Sequence, residues 1–325
     1  MIYPWQQKQW QEIKSSYLQG RLPHALLLVG SRGLGKVGFA KKVAKFILCE
    51  NKKEVACGTC HSCRLFCVGN HPDFFIVTPE EKSKMIKIDQ VRALISDLNQ
   101  TSHCNHHQVV IIHPAEVMHH ASANAFLKTL EEPTGQILLL LVSHRPDTLL
   151  PTITSRCQRL TFNPCVSAVT TQWLQKKINI DLSQAVQLLK IANQAPLYAL
   201  ELGVTNFLSL RDQLFNLVLN SVEQRENAID IVDTILKENL QLILQILIII
   251  FMDILRLQLN ADDFVVNKDR LALLKKLKMV FPRRKTLLLL QQLQKAWQLV
   301  ESVVAVNLRL LLEEIFLTIE IDYVC

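Results

Sequence analysis

Gly30-Ser31-Arg32-Gly33-Leu34-Gly35-Lys36-Val37 has the spacing of a phosphate-binding loop that is complete through its lysine. In such a loop the glycines let backbone N–H groups wrap a nucleotide phosphate, the lysine meets the outer phosphates, and a following serine or threonine hydroxyl ligates Mg²⁺. Val37 occupies that last position and has no oxygen to offer a metal. The other half of a nucleotide site is a strand ending in acids that hold the metal's water and activate the attacking one. Val109 to Ile112 supplies an apolar strand, but His113-Pro114-Ala115-Glu116 follows it, and a histidine–proline pair replaces neither carboxylate.

A second constellation is built of sulfur. Cys57, Cys60 and Cys63 form a C-x2-C-x2-C run, with Gly58 easing a tight turn, Cys49 just upstream and Cys67 just downstream. Thiolates this crowded favour a metal over disulfides. Two sets compete: Cys49, Cys57, Cys60 and Cys63 as a tetrahedral zinc knuckle, or Cys57, Cys60, Cys63 and Cys67 in a ferredoxin-like spacing with Val68 where proline belongs. His61 is a further candidate ligand. Zinc is the expected ion.

The elements that must hold these groups are visible around them. Ala25 to Val29 is an apolar run suited to a buried parallel strand, and Lys36 to Leu48 carries helix-period positions Val37, Ala40, Val43, Ala44 and Ile47. Strand, glycine loop, helix is the order a phosphate-binding loop requires, with helix N–H groups aimed at the loop. Ala121 to Glu132 reads as a helix stopped by Pro133, and Ile137 to Val142 as a further strand.

The chain has 325 residues and a net charge of +7. Residues 1–165 hold 19 basic and 12 acidic side chains and the remainder 17 of each, so the whole excess lies in the first half. A basic half invites a polyanion. Met1-Ile2-Tyr3-Pro4-Trp5 has no basic or long apolar stretch, so no secretory signal is expected. Asn239 to Met252, the longest uncharged apolar candidate, falls short of the roughly 20 residues of a bilayer crossing and reads as a core helix. The expected setting is the cytoplasm, without membrane contact.

Leu22-Pro23-His24-Ala25-Leu26-Leu27, then Asn124-Ala125-Phe126-Leu127-Lys128-Thr129-Leu130-Glu131-Glu132-Pro133, then Thr154-Ser155-Arg156-Cys157 resemble, in this order, the clamp-loader branch of the AAA+ ATPases. The four-cysteine insertion, His71-Pro72-Asp73-Phe74 and the altered acids resemble more narrowly the delta-prime family of bacterial DNA polymerase III clamp-loader subunits. The resemblance is dense over residues 20–162, and Asn307 to Leu312 is similar to that family's C-terminal helix. It implies an α/β AAA+ fold, a P-loop parallel sheet with flanking helices, followed by a small helical lid and an all-α C-terminal collar. The expected domains are 1–163 with the cysteine insertion at 49–67, a lid over 164–206, and an oligomerisation domain over 207–325.

The same resemblance implies a DNA-replication role in the complex that opens the sliding clamp and places it on primed DNA. Motor (tau/gamma) and delta subunits would be direct partners, the clamp an indirect one. Arg156 is the position that the family presents in trans to ATP on a neighbouring subunit, while Gly30, Gly33, Gly35, Lys36 and Val37 form a degenerate nucleotide pocket in which ATP binding is doubtful. No catalysis is expected of the isolated chain, which would belong to a DNA-directed DNA polymerase (nucleotidyltransferase) holoenzyme. Motor members carry a γ-phosphate-sensing arginine in the lid; the corresponding stretch Asn193 to Tyr198 has no cation. Lys87 and Arg92 are DNA-backbone candidates by analogy.

Three further features receive plain readings. The histidines and Cys104 between His103 and His120 read as a variable loop. Lys275, Lys276, Lys278, Arg283, Arg284 and Lys285 read as a solvated helix face, and Gly203 to Asn206 as a break between helices. Two other functions remain in view: an active motor ATPase of the same loader, against which Val37, His113 and Pro114 argue, and a stand-alone zinc-dependent nucleic-acid binder, supported by the cysteines alone.

Overall fold

The computed structural model describes residues 2–81, 83–99, 107–133, 135–164, 167–223, 225–301 and 307–320. His103 and Cys104 lie outside them. The chain divides into two compact units, residues 1–173 with 193–198 and residues 174–192 with 199–325.

The first unit is built on five parallel strands, β1 (Ala25–Val29), β2 (Phe74–Val77), β3 (His107–Ile112), β4 (Gln136–Ser143) and β5 (Gln158–Thr161), in the spatial order β2-β3-β4-β1-β5. The inner strands are continuous apolar runs because helices cover both faces, as parallel sheets require. Alternation sorts their side chains. Leu26, Leu28, Val109, Ile111, Leu138 and Leu140 meet α1 (Gln7–Leu18) and α2 (Lys36–Leu48) through Trp10, Phe39, Val43 and Ile47. Leu27, Val110, Ile112, Leu139 and Leu141 meet α4 (Ile88–Leu98) and α5 (His120–Glu131) through Val91, Leu94, Phe126 and Leu130. Two short helices complete the scaffold of the site, α3 (His61–Val68) after the first cysteines and α6 (Pro151–Thr154) before β5. The parallel sheet with flanking helices is the one expected from sequence.

The rest of the chain is helical: α7 (Ala168–Ile178), α8 (Leu182–Ile191), α9 (Pro196–Val204), α10 (Phe207–Val222), α11 (Ala228–Ile235), α12 (Leu240–Gln258), α13 (Leu271–Val280), α14 (Arg283–Glu301) and α15 (Leu308–Glu320). Within the second unit α12 packs against α10, α13 and α14. It extends beyond the uncharged run at 239–252 to 19 residues, and is the one helix among the described residues long and apolar enough for a bilayer, by length and composition. Half of its apolar window is buried in this unit. Its Asp253, 0% exposed, accepts hydrogen bonds from Val266 N, Asn267 N and Asn267 Nδ2 and pairs with Arg256, so its charge is matched where it is buried.

Two details differ from the sequence reading. Gly203 lies inside α9, not in a break: a Cβ there would come within 2.3 Å of Ile178 Cδ1, so the glycine admits a close helix crossing. Lys285 is 4% exposed, donates to Ile319 O at 2.8 Å and lies over the Phe281 ring. Its stem and charge are held by the core rather than by solvent.

Candidate functional site

β3, β4 and β1 are neighbours, so their C-terminal ends deliver His113, His144 and the Gly30 loop to one place. Crevices at the carboxyl ends of such strands are where α/β sheets hold ligands. Gly33 and Gly35 both take φ +81°, the left-handed region open to glycine, and Gly35 caps the N-terminus of α2. The expected strand, glycine loop and helix are all present.

Lys36 does not point at an open phosphate site. It is 2% exposed and donates to Gly30 O at 2.6 Å and Ser31 O at 2.8 Å, with His144 Nδ1 also at 2.8 Å. Burial pulls its pKa down to about 8, with the Glu116 carboxylate acting in the opposite direction. Burial, then the Lys36 charge, lowers His144 to about 4, which keeps it the neutral partner. His113, its ring 5.3 Å from that of His144, is likewise lowered by burial. Glu116 Oε1 accepts from His144 N at 3.0 Å. His113 Nδ1, Glu116 Oε2 and Ser31 Oγ are buried with no hydrogen-bond partner among the described residues.

The chain itself crowds the loop. Gln6 Nε2 donates to Leu34 O at 2.9 Å and Gly35 O at 3.1 Å, and Trp5 Nε1 donates to Leu34 O. Tyr3 and Trp5 stack at 4.7 Å with Trp173 edge-on to both. Leu197 N donates to Gly33 O at 2.9 Å. A Cβ on Gly33 would come within 2.5 Å of Tyr198 Cβ and 2.8 Å of its backbone nitrogen. The stretch 193–198, where a lid arginine was sought, therefore lies directly on the loop and brings a tyrosine instead. Sequence reasoning did not single out His144, Glu116, Gln6 or Tyr198; the residue after the strand beside β1 was the available signal for His144.

Arg156 follows α6, and its side chain is 35% exposed. Nη1 donates to Thr152 O at 2.9 Å, and Nη2 pairs with Glu131, the first acid of the Leu-Glu-Glu-Pro run. The α5 terminus and the α6 corner thus hold a guanidinium at the surface with an exposed acid as its counter-ion.

The cysteines sort cleanly. Sγ atoms of Cys49, Cys57, Cys60 and Cys63 all lie within 4.8 Å of one another, with Cys49–Cys60 at 3.9 Å and Cys57–Cys63 at 4.0 Å. Sulfurs about 2.3 Å from a common tetrahedral centre stand about 3.8 Å apart, so the set fits a single ion. Cys57 N points to Cys49 Sγ, Cys60 N to Cys57 Sγ and Cys63 N to Cys60 Sγ, each at 3.3 Å. The backbone N–H groups of Thr59 and Cys60 bring the Cys57 thiol down to about 6, whereas burial pushes Cys63 up to about 12. Cys67 is exposed and takes a hydrogen bond from Lys45 instead, and His61 is exposed. The knuckle is buttressed from behind: Ser62 Oγ donates to Leu48 O at 2.6 Å and meets His71 Nε2 at 2.8 Å, while His71 Nδ1 accepts from Asp73 N. This gives the His71-Pro72-Asp73-Phe74 segment a structural task.

Lys87 caps α4 and pairs with the exposed Glu80, and Arg92 is exposed one turn further on. Neither touches the loop, Arg156 or the cysteines through a described hydrogen bond or ion pair.

Residues 5–166 match the family model described as DNA polymerase III, delta subunit, and residues 205–320 the model of its C-terminal part. The DNA polymerase III subunit delta' of Pseudomonas aeruginosa is 37% identical over 266 residues, covering 81% of this chain and 80% of that protein. Its counterpart from Yersinia pestis is 33% identical over 324 residues, 98% and 95% of the two chains. A solved DNA polymerase III gamma subunit-related protein from Thermotoga maritima aligns over 95% of this chain and 98% of that one with a TM-score of 0.50 at 20% identity, a likeness of fold. Identity at this level along almost the whole length, with both family models in chain order, means that the chain belongs to the delta-prime subunit family of DNA polymerase III.

Proposed function

We propose that the chain serves a clamp loader as a subunit that hydrolyses no ATP itself and lends Arg156 to the ATP site of a neighbouring motor subunit. The observation that carries the reading is the state of Lys36. The lysine that should meet phosphate already has two backbone carbonyls and a neutral imidazole as partners, next to a valine that offers magnesium nothing. Arg156 contrasts with it. A permanently charged, planar guanidinium stabilises charge spreading over a transferring phosphoryl group, and such fingers raise rates by roughly 10³ to 10⁵. Leaving Glu131 costs little, because exposed ion pairs are worth about 0–1 kcal/mol.

In this reading motor (tau/gamma) and delta subunits are the direct partners, the clamp and primed DNA are met within the assembly, Lys87 and Arg92 approach DNA phosphates, and the setting is the cytoplasm. The four-sulfur knuckle holds zinc in a closed, structural role: all four positions are protein ligands, and the sulfurs stand too near one another to enclose a multi-iron cluster. Bound there, zinc would tie the end of α2 to α3.

The test is reconstitution. In a loader assembled with motor and delta subunits, clamp and primed DNA, Arg156→Ala should slow hydrolysis at the adjacent site by about 10³-fold while assembly and melting temperature stay unchanged. Arg156→Lys should not restore it. An unaltered ATPase rate in the assembled Arg156→Ala complex sinks the reading.

A further inference from the structure

Among the described residues β2 is an edge strand, bonded to β3 on one side alone. Asp73 O and Val77 O accept from Val109 N and His113 N, so residues 73, 75 and 77 face β3. In a parallel ladder both backbone groups of alternate residues turn the same way. Those of Phe74, Ile76 and Thr78 therefore turn to the open side. Phe74 N is used by His71 O and Thr78 O by Gln90 Nε2. Phe74 O, both groups of Ile76 and Thr78 N remain, a short template for one more strand. The Ile76 side chain is 43% exposed.

This edge opens on a groove of about 540 Å³, a volume within the usual range for ligand sites, floored by Phe75, Ile76, Ala93 and Leu94. Glu80, Glu81 and Asp97 line it, and among the described residues no lysine or arginine does. Glu80 is engaged by Lys87, which leaves Glu81 and Asp97 as exposed charges. An acidic trough in the half of the chain that carries the entire positive excess is a local reversal of sign. Edge strands are ordinarily blunted by proline, a bulge or an inward charge, and Phe74–Val77 contains neither proline nor charge.

We infer that this edge is a docking site for an extended peptide segment of a partner protein that alternates basic and apolar residues. The segment adds as a sixth strand on β2. Its backbone pairs with Ile76 and its neighbours, its apolar side chains lie beside the exposed Ile76 on the face of the sheet away from α4, and its cations, on the α4 face, meet Glu81 and Asp97. Strand addition of this kind takes affinity from main-chain hydrogen bonds and specificity from alternate side chains. The site does not depend on Arg156 or Lys36, so it stands apart from the proposed role in hydrolysis.

The probe is a fluorescent peptide of about eight residues alternating lysine and valine, a common strand length, titrated against the full chain. Its controls are a glutamate–valine peptide and a lysine–valine peptide N-methylated on the amides that face the edge. The lysine–valine peptide should bind, both controls should bind at least about tenfold more weakly, and salt above about 0.3 M should weaken binding severalfold. Hydrogen exchange should slow at the Ile76 amide when the peptide is present. Ile76→Pro removes the outward donor without touching a bond to β3 and should abolish binding, with circular dichroism confirming the fold. Should that variant unfold, Glu81→Lys with Asp97→Lys, expected to weaken binding about tenfold, carries the test. Equal binding of all three peptides, unchanged Ile76 exchange in the complex, or an edge-to-edge dimer of this chain that the peptide does not dissociate overturns the inference.

Discussion

The phosphate-loop pocket and the cysteine knuckle lie one helix apart, at the two ends of α2, and have treated their motifs in opposite ways. At the N-terminal end the loop keeps its three glycines and Lys36, yet every one of those residues meets the protein itself: Gly30 fits against Phe162, Gly33 against Tyr198, Gly35 against Gln6, and Lys36 bonds its own loop and His144. At the C-terminal end four sulfurs converge on one centre and leave room for an ion there. A retained motif therefore says which residues remain. Only their orientation says whether a ligand still has a place among them.

Breaking the knuckle should have the largest effect. Cys60→Ser should take bound metal from about one equivalent to none by elemental analysis and lower the melting temperature markedly, since structural zinc contributes folding free energy directly. Cys67→Ser should retain the metal, and its loss there would return the ferredoxin-like set to contention. Gly33→Ala comes next. The φ of +81° and the approach to Tyr198 should together cost about 2–4 kcal/mol in denaturant unfolding with no nucleotide present. A neutral outcome would mean that the glycine is not needed for this packing.

Lys36→Met should cost about 1–2 kcal/mol, because Gly30 O and Ser31 O lose a buried donor, and on the proposed function ATP turnover by the isolated chain should be negligible both with and without the substitution. Turnover at motor rates that survives this substitution would remove the contrast between the two ends of α2. A further effect is in pH. His144 titrates near 4 when folded and near its ordinary 6.5 when unfolded, so the unfolded chain binds the extra proton between those values. Stability should fall as pH drops from about 6.5 towards 4, and His144→Asn should flatten that slope in urea titrations.

Much of this was legible in the residues. Strands such as Ala25–Val29 and Gln136–Ser143 announce themselves because a parallel sheet buried on both faces needs unbroken apolar runs. The choice of Cys49 over Cys67 was not legible, since spacing allowed both and the turn at Gly58 with helix α3 decided it by facing Cys67 outward. Lys285 looked like one cation in a basic cluster, and only the packing of α14 on α15 turned it inward to Ile319 O. Gly203 looked like a break because a glycine's two uses, ending a helix and admitting a neighbour, are the same letter in a sequence.

By itself the sequence determined the order of elements, the absence of a hydroxyl at Val37, the absence of acids immediately after β3, and the chemistry available at each motif. These follow from residue type and local periodicity, which the chain carries before it folds. The tertiary structure decided direction: that Lys36 turns back to the loop and His144, that Tyr198 closes over Gly33, that Arg156 stays at the surface on Glu131, and that four of the clustered cysteines share one centre. Direction depends on contacts between residues as far apart as Gly33 and Tyr198, and local sequence does not contain the partner that a side chain will meet.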